Sequence, residues 1–453
     1  SFGTEPKNVG KHVASAVRGA KSGGVLTTLK HFPGHGDTEK DSHLTLPKIN
    51  FSKDHIEANE LYPFKKLIEK NVSSVMVAHL NVPSLTDSDY PASLSRKLVT
   101  GLLKEKLGFN GLIVTDALNM KGADAEIDGN IDLAAFEAGN DLLLISLDIP
   151  KGIKAIKNPE VEVVIEATGH PSAGILHARE AFGNGKHIVM VNVEADVLAG
   201  ASLAKEAKSS GVVYSMAYGD QPALTAEIVE WARASGFNVT SAGKGTRYQP
   251  IYHKSSPDTV WDYYGLTHEE ARKAGMNPKM FNSFLDGTKS GLEMAAIANA
   301  CDLEVPTNGL LFPPCGMDDL ANILKPLEFG GLLEKNGQVE VVSSLERDGR
   351  PVFKDLRWGV YAVLEAPNDY AASCFKQYGM NTDDTGKYSA MYKPFHLIGM
   401  ELNISVFSAA LLKQATGQTK KFTGDVVSTT KKNLKKSEIL DGEGGATVWG
   451  KLV

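Results

Sequence analysis

The sequence predicts an α/β protein of several domains, on three observations. Short apolar segments alternate with helical patterns between residues 23 and 241, which indicates parallel sheets. The pattern breaks at residues 150–159, where PKGIKAIKNP separates two such series. From about residue 420 the chain consists of short strands and turns. Its 453 residues are enough for two or three domains.

The first series predicts part of a β/α barrel. A helix lies between the second and third strands, with Ser95 as its N-cap and Gly108 as its stop. The four predicted strands cover residues 23–31, 74–82, 111–116 and 141–146.

The second series predicts part of a Rossmann-type domain. Its strands cover residues 161–169, 187–192, 211–216 and 237–241, with helices near 172–182, 197–209 and 222–235. Strands and helices mix after residue 243, which indicates an α+β domain, and the tail is a small β domain. The expected boundaries are 1–157, 158–242, 243–418 and 419–453.

Composition narrows the class of protein. The net charge of -6 argues against a nucleic-acid binder, and no apolar run reaches the length of a membrane span. Three cysteines form neither a disulfide framework nor a C-x-x-C zinc pair, so a reducing, cytoplasmic location is expected, with no bound metal. The expected partners are small molecules.

Polar residues follow two of the strands in the first series. Lys30 and His31 end one strand, Asp116 ends another, and a Gly/Pro-rich loop after His31 carries Asp41 and His43. In a β/α barrel, groups at the carboxyl ends of strands do the chemistry. A carboxylate there can attack an anomeric carbon, while Asp41 holds one nitrogen of His43 and leaves the other for proton transfer.

Each of these residues also has a simpler interpretation. Asp116 alone is more often a helix N-cap, Asp41 a turn residue, and His43 a surface or core histidine. The hypothesis therefore depends on the whole constellation.

The string K-H-F-P-G-H-G-x4-D-S-H, with the neighbouring Ser74–Pro83 and Pro91–Gly111, resembles family 3 glycoside hydrolases of the β-N-acetylglucosaminidase type. The resemblance covers residues 1–157. It implies hydrolysis of terminal N-acetylglucosaminides with retention and without a cofactor. Asp116 would be the nucleophile, His43 the acid/base and Asp41 its orienting group, and Lys30 and His31 would bind the sugar. A neutral histidine would also admit phosphate, so phosphorolysis stays open.

The barrel of that family has eight strands, and the resemblance places only the last four in this chain. Open sheet edges are expected to favour oligomerisation. A half barrel would also lack part of the sugar pocket.

The second series offers candidate cofactor residues. Thr168, Gly169 and Asn192 end strands where a nicotinamide ribose would lie, although they also suit ordinary turns. Lys244 stands between glycines and suits a phosphate, and an ordinary Gly-rich turn is the alternative.

A charged stripe follows on a predicted helix. Asp286, Lys289 and Glu293 share a face of a helix whose other positions are apolar, which favours a lined cavity as the substrate site. A solvated pair of Lys289 and Glu293 is the alternative.

Part of residues 158–453 resembles the nucleotide domain of homoserine-dehydrogenase-like enzymes. A longer stretch of the same residues resembles the reductoisomerase-like enzymes that act on 1-deoxy-D-xylulose 5-phosphate. Segments such as VNVEADVLAG, NPKMFNSFLDGTK and DGEGGATVWGKL carry the likeness, and the tail resembles a SAF-type domain. The resemblance implies NAD(P) and a phosphorylated sugar-like substrate. However, no G-x-G-x-x-G string occurs, and Val193 stands where homoserine dehydrogenases have a lysine.

The sequence thus predicts a glycosidase part fused to a reductase part. Two alternatives remain: a catalytically inactive fusion of two truncated enzymes, and a working oxidoreductase.

Overall fold

The structure is a computed structural model that describes residues 3–23, 25–36, 38, 42, 45–86, 90–118, 120–123, 131–144 and 149–453. The chain divides into two compact units, Ser1–Val161 and Glu162–Val453, and each is described by itself.

Unit 1 contains a four-stranded parallel sheet in the order β1-β2-β3-β4. The neighbours are in register, with Thr28 of β1 beside Ser74 of β2, and Ser74 beside Leu112 of β3. Its described elements are α1 (Pro6–Ser22), β1 (Thr28–Phe32), α2 (Lys53–Ala58), α3 (Leu61–Ile68), β2 (Ser74–Val77), a helix of π type (Lys97–Lys106), β3 (Leu112–Ala117), α4 (Ile131–Glu137), β4 (Leu142–Leu144) and α5 (Ile149–Ile156).

Apolar side chains of the strands and helices build the core of this unit. Phe32, Val75 and Ile113 are fully buried in the sheet, and Leu98 and Leu103 of the π-type helix pack in the same cluster. All four predicted strands are present, but the first begins later than predicted. Val25 and Leu26 are 43% and 60% exposed, and the backbone N–H of Val25 donates to the carbonyl oxygen of Ala20 in α1.

The helix between β2 and β3 begins one residue later than predicted. The hydroxyl of Ser95 accepts a hydrogen bond from the backbone N–H of Leu98 at 3.4 Å, while the helix itself begins at Lys97. Gly108 follows the helix with a φ of +68°, a left-handed conformation that suits glycine and ends the helix as predicted.

Unit 2 contains three sheets. A parallel sheet has the order β5-β6-β7, a mixed sheet the order β11-β10-β8-β9, and β12 pairs with β13. Its helices and strands are β5 (Val163–Glu166), α6 (Pro171–Gly183), β6 (His187–Met190), α7 (Val193–Ser209), β7 (Tyr214–Met216), α8 (Gln221–Ala234), β8 (Asn238–Thr246), α9 (Val260–Tyr264), α10 (His268–Lys273), α11 (Pro278–Leu285), α12 (Thr288–Cys301), α13 (Leu320–Ile323), β9 (Gln338–Ser343), β10 (Val360–Glu365), α14 (Asp369–Gln377), β11 (Tyr388–Lys393), α15 (Leu402–Phe407), β12 (Val426–Thr430) and β13 (Val448–Leu452).

The strand predicted at 237–241 does not complete the Rossmann-type series. It is β8, which pairs with β9 on one side and β10 on the other. The glycines of β8 permit this close packing, because any larger residue would clash with a neighbouring backbone. A Cβ on Gly243 would lie 1.9 Å from the carbonyl oxygen of Glu340, and a Cβ on Gly245 would lie 1.8 Å from the carbonyl oxygen of Leu356. These contacts lie far apart in the sequence, so local patterning could not assign the strand to its sheet.

The predicted α/β class with parallel sheets is confirmed, while the barrel, Rossmann and SAF-type assignments stay predictions. Within the described ranges, no helix is long and apolar enough to cross a membrane.

Candidate active sites

The carboxyl edge of the sheet in unit 1 brings two predicted site residues together. His31 lies near the end of β1 and Asp116 near the end of β3, and both strands run in the same direction beside β2. The Nε2 atom of His31 is 3.6 Å from Oδ2 of Asp116. Their side chains are 30% and 16% exposed, so the pair is accessible from the open side of the edge. Lys30 precedes His31 on β1 and is exposed.

The carboxylate of Asp116 is oriented by the backbone. Its Oδ1 accepts a hydrogen bond from the backbone N–H of Ala117 at 2.9 Å, which leaves Oδ2 toward His31. A partly exposed carboxylate held in this way is suited to nucleophilic attack.

A buried histidine that the sequence reasoning missed supports this edge. His79 follows β2, and its Nε2 donates to the carbonyl oxygen of Ala117 at 3.0 Å, because a carbonyl can only accept. Its Nδ1 is 2.7 Å from the hydroxyl of Ser93. In the sequence His79 falls inside the strand predicted at 74–82, so no local signal placed it at the edge that carries His31 and Asp116.

The loop after His31, whose sequence includes Asp41 and His43, is described only in part. His35 contacts Thr38 at 2.7 Å through Nδ1 and Ser42 at 3.1 Å through Nε2. The carbonyl oxygen of buried Ser42 accepts from the backbone N–H of Gly122, so Ser42 lies beside the segment that follows β3. Asp41 and His43 lie outside the described residues.

In unit 2 the predicted cofactor residues form one polar network at the ends of β5 and β6. The amide of Asn192 donates to the carbonyl oxygen of His170 at 3.1 Å and to the hydroxyl of Thr168 at 3.4 Å. Thr168 in turn donates to Glu166 at 2.6 Å, and Gly169 has a φ of +65°. Burial would raise the pKa of Glu166, but hydrogen bonds from His177, Thr168 and Asn192 outweigh it and lower that pKa.

A buried ionic cluster contains three of the predicted substrate residues. Lys244 of β8 contacts Glu293 of α12, and both side chains are almost fully buried. Lys289 of α12 pairs with Glu194 of α7 at 2.8 Å. Asp220, at the start of α8, is buried beside them: burial and the charge of Glu293 raise its pKa to about 7. The structure therefore places Lys289 and Glu293 in separate pairs, and the solvated pair considered from the sequence is not present.

Asp286 has a different partner. Its buried carboxylate lies 2.7 Å from Nζ of Lys431, which also donates to the carbonyl oxygens of Ser255 and Gly445 at 2.7 Å each. Burial raises the pKa of Asp286 even so, although Lys431 opposes the shift. This contact ties α11 to the tail of the chain.

A cavity of about 280 Å³ opens beside the cluster. Glu194 and Thr288 line it from α7 and α12, and Trp449 lines it from β13. Within the part of the chain that the structure describes, no group of three His, Cys, Asp or Glu side chains could hold a metal ion.

The raised pKa of Asp220 predicts how stability depends on pH. An acid whose pKa is higher in the folded than in the unfolded state stabilises the fold at low pH, and this contribution is lost as pH rises from about 4 to about 7. As the pH rises from 5 to 7, the parent should therefore lose up to about 1.4 kcal/mol of unfolding free energy per pH unit that Asp220→Asn does not lose. All four tryptophans lie in unit 2, so urea unfolding followed by their fluorescence measures this difference.

Asp258→Asn is the control, since Asp258 is exposed. Parallel stability curves for the parent and Asp220→Asn would contradict the assignment.

Comparison with known proteins finds a family match for each of the two parts. Residues 1–166 match the glycosyl hydrolase family 3 N-terminal domain, and residues 219–402 match the catalytic domain of the oxidoreductase DRL. Beta-hexosaminidase A of Pseudoalteromonas piscicida is 37% identical over 163 residues, which are 33% of this chain and 27% of that protein. The beta-hexosaminidase of Tolumonas auensis is 40% identical over 147 residues, 32% of this chain and 43% of that protein.

Among solved structures, NagZ from Neisseria gonorrhoeae, in complex with N-trifluoroacetyl-D-glucosamine, is 36% identical, with a TM-score of 0.28, over 31% of this chain and 40% of that chain. The chain thus spans less than half the length of these relatives.

The two parts of the chain are thus similar to two enzyme classes, a glycoside hydrolase and an oxidoreductase. Residues 1–166 match the glycosyl hydrolase family 3 N-terminal domain and have beta-hexosaminidase relatives, and residues 219–402 match the DRL oxidoreductase catalytic domain. The resemblance of residues 1–157 to family 3 glycoside hydrolases is confirmed, and that of the second part is confirmed as a resemblance to an oxidoreductase catalytic domain.

Proposed function

We propose that unit 1 hydrolyses terminal N-acetylglucosaminides by a retaining mechanism. The observation that carries the proposal is the 3.6 Å approach of His31 to Asp116 at the carboxyl edge of a parallel sheet. The beta-hexosaminidase relatives support the substrate class. A cytoplasmic location, with three free cysteines, is part of the same proposal.

In the first step Oδ2 of Asp116 attacks the anomeric carbon, and the bond to the leaving oxygen breaks as His43 supplies a proton to it. In the second step His43 takes a proton from water, and the resulting attack on the anomeric carbon releases Asp116 and the sugar. Asp41 orients His43 in both steps. Lys30 and His31 bind hydroxyl groups of the sugar, and the ring of His31 also stabilises the carboxylate that it contacts.

A chromogenic N-acetyl-β-glucosaminide tests the proposal. We expect release of the chromophore and, by proton NMR, a β-configured sugar as the first product. Adding inorganic phosphate separates hydrolysis from phosphorolysis, since only phosphorolysis yields the sugar 1-phosphate. Absence of chromophore release with and without phosphate would contradict the proposal.

The ionic cluster of unit 2 supports a second function. We infer that Lys244, Lys289, Glu293 and Asp286 belong to the substrate end of an oxidoreductase that acts on a phosphorylated sugar-like molecule. Lys289 is held cationic, because Glu194, Glu293 and Asp220 raise its pKa against the effect of burial. A cation beside a cavity is suited to an anionic substrate, whose phosphate would displace Glu194 from Lys289.

The nucleotide end of this unit does not fit NAD(P). Dinucleotide pyrophosphates bind at a Gly-rich turn and a free helix N-terminus. Here the ring of His170 accepts from the start of α6, the amide oxygen of Asn192 accepts from the start of α7, and Glu194 adds a negative charge in the first turn of α7. Thr168 and Asn192 thus hydrogen-bond to each other and to the Glu166 carboxylate, and Gly169 lies in the turn beside them.

We therefore expect weak binding of NADPH, with a dissociation constant above about 100 μM. Isothermal titration calorimetry with the full chain measures it, and a homologous reductase with a Gly-rich turn serves as the positive control. Saturable binding at a few micromolar would show that the network opens to admit the nucleotide.

A further inference from the structure

Two arginines of unit 2 lie near each other at the end of β8. Arg247 is the first residue after β8. The backbone of Arg357 lies against the same strand, since a Cβ on Gly245 would be 3.0 Å from the backbone nitrogen of Arg357. Both arginines are half-buried, and neither is among the residues that line the cavity beside the ionic cluster. We call Arg247 and Arg357 the arginine pair.

No acidic side chain of the described residues neutralises the arginine pair. The arginine ion pairs found among those residues are Arg179–Glu206 and Arg350–Asp348. The nearby carboxylate of Asp355 accepts instead from the backbone N–H of Arg357, at 2.8 Å. The Nε atom of Arg247 is buried and has no hydrogen-bond partner in the described part of the chain. A buried donor without a partner indicates that a group outside the chain supplies the acceptor.

The two positive charges oppose each other beside a tyrosine. Burial lowers the pKa of Arg357 and the charge of Arg247 lowers it further, although Tyr264, Asp355 and Tyr252 oppose the shift. Burial raises the pKa of Tyr264, and the charges of Arg357 and Arg247 both oppose that rise, so the phenol lies within range of both cations. Arginine stays protonated in proteins, so two like charges are held together in partly buried surroundings. Such an arrangement is costly unless an anion joins it.

The chemistry of the arginine pair fits a phosphate group. A guanidinium donates two parallel hydrogen bonds to phosphate oxygens, and a dianion matches two such cations in charge. The guanidinium carbon of Arg357 lies 4.5 Å from the ring centroid of Trp358, whose side chain is 59% exposed, so the pair borders on solvent. We propose that Arg247 and Arg357, with the phenol of Tyr264, form a binding site for a phosphate dianion, either free phosphate or the phosphate of a small ester. This site is separate from the cavity and independent of both proposed activities.

Inorganic phosphate and the full chain test the proposal. Isothermal titration calorimetry should give a dissociation constant of about 1 mM or below, and about 20 mM phosphate should raise the melting temperature by roughly 2–4 °C at ionic strength matched with sodium chloride. Arg247→Met and, separately, Arg357→Met should each weaken phosphate binding at least about 10-fold. Without phosphate neither variant should melt below the parent, because each removes one of two like charges. Glycerol 3-phosphate separates the two sources, since tighter binding than that of inorganic phosphate indicates an ester and weaker binding indicates free phosphate.

Arg350→Met is the matched control, because the side chain of Arg350 is 75% exposed and pairs with Asp348. This variant should bind phosphate like the parent. Labelling of the parent with phenylglyoxal, read by mass spectrometry, does not depend on how the variants fold. Phosphate should protect Arg247 and Arg357 from the reagent and leave Arg350 reactive. A parent that binds no phosphate would overturn the proposal, as would binding that survives both substitutions of the arginine pair, or equal protection of all three arginines.

Discussion

Asp116→Asn is expected to lower the rate of N-acetylglucosaminide hydrolysis at least about 10³-fold, equivalent to about 4 kcal/mol of transition-state stabilisation. An asparagine of the same shape keeps the contact with the backbone of Ala117 but cannot form the glycosyl ester. The measurement is kcat/KM with a chromogenic substrate, at protein concentrations held equal for the parent and the variant.

Asp54→Asn makes the same chemical change at an exposed carboxylate on α2 and should leave the rate unchanged. A slow-turnover fluorinated N-acetylglucosaminide adds a second readout, since mass spectrometry should find the trapped sugar on the peptide that contains Asp116. Equal rates for the parent and Asp116→Asn, or a label on another carboxylate, would remove Asp116 from the mechanism.

Lys431→Met is expected to destabilise unit 2 by about 3–5 kcal/mol at pH 8, because it leaves the fully buried carboxylate of Asp286 without its cation. For a unit of this size the melting temperature should fall by roughly 10 °C. The loss should be smaller at pH 5. Without Lys431 the pKa of Asp286 rises further in the folded state, so that the carboxyl takes up a proton at low pH and no longer needs a partner.

Lys432→Met is the neighbouring control, since the side chain of Lys432 is 51% exposed. The double variant Asp286→Asn, Lys431→Met should recover part of the loss, because the buried charge is gone. Thermal melts followed by tryptophan fluorescence separate the four proteins. If Lys431→Met melts at the same temperature as Lys432→Met, the contact makes no net contribution to stability.

Much of the candidate glycosidase edge could be predicted from local pattern. Residues that directly end parallel strands lie at one edge of a sheet, so the polar endings at His31 and Asp116 were enough to predict that both lie at the same end of the sheet. His79 was missed because its role is seen only in its contacts with Ala117 and Ser93, 38 and 14 positions away in the chain.

In the reductase part, local pattern predicted which residues are charged on the helix but not which residues they contact. The charged stripe of Asp286, Lys289 and Glu293 was visible from helical spacing, but their partners were not. Glu194 lies 95 positions from Lys289, and Lys431 lies 145 positions from Asp286. Pairing of buried charges depends on which helices pack together, and helical spacing carries no information on that.

The sequence by itself determined the family resemblances of the two parts, the α/β class, and the polar strand endings of unit 1, because motifs and the periodicity of side chains are local properties. Only the tertiary structure decided that β8 belongs to the mixed sheet, that Lys244 contacts Glu293, and that Arg247 lies near Arg357. Each of these depends on which distant segment packs against a backbone edge or a charge, and burial is a property of the packed chain.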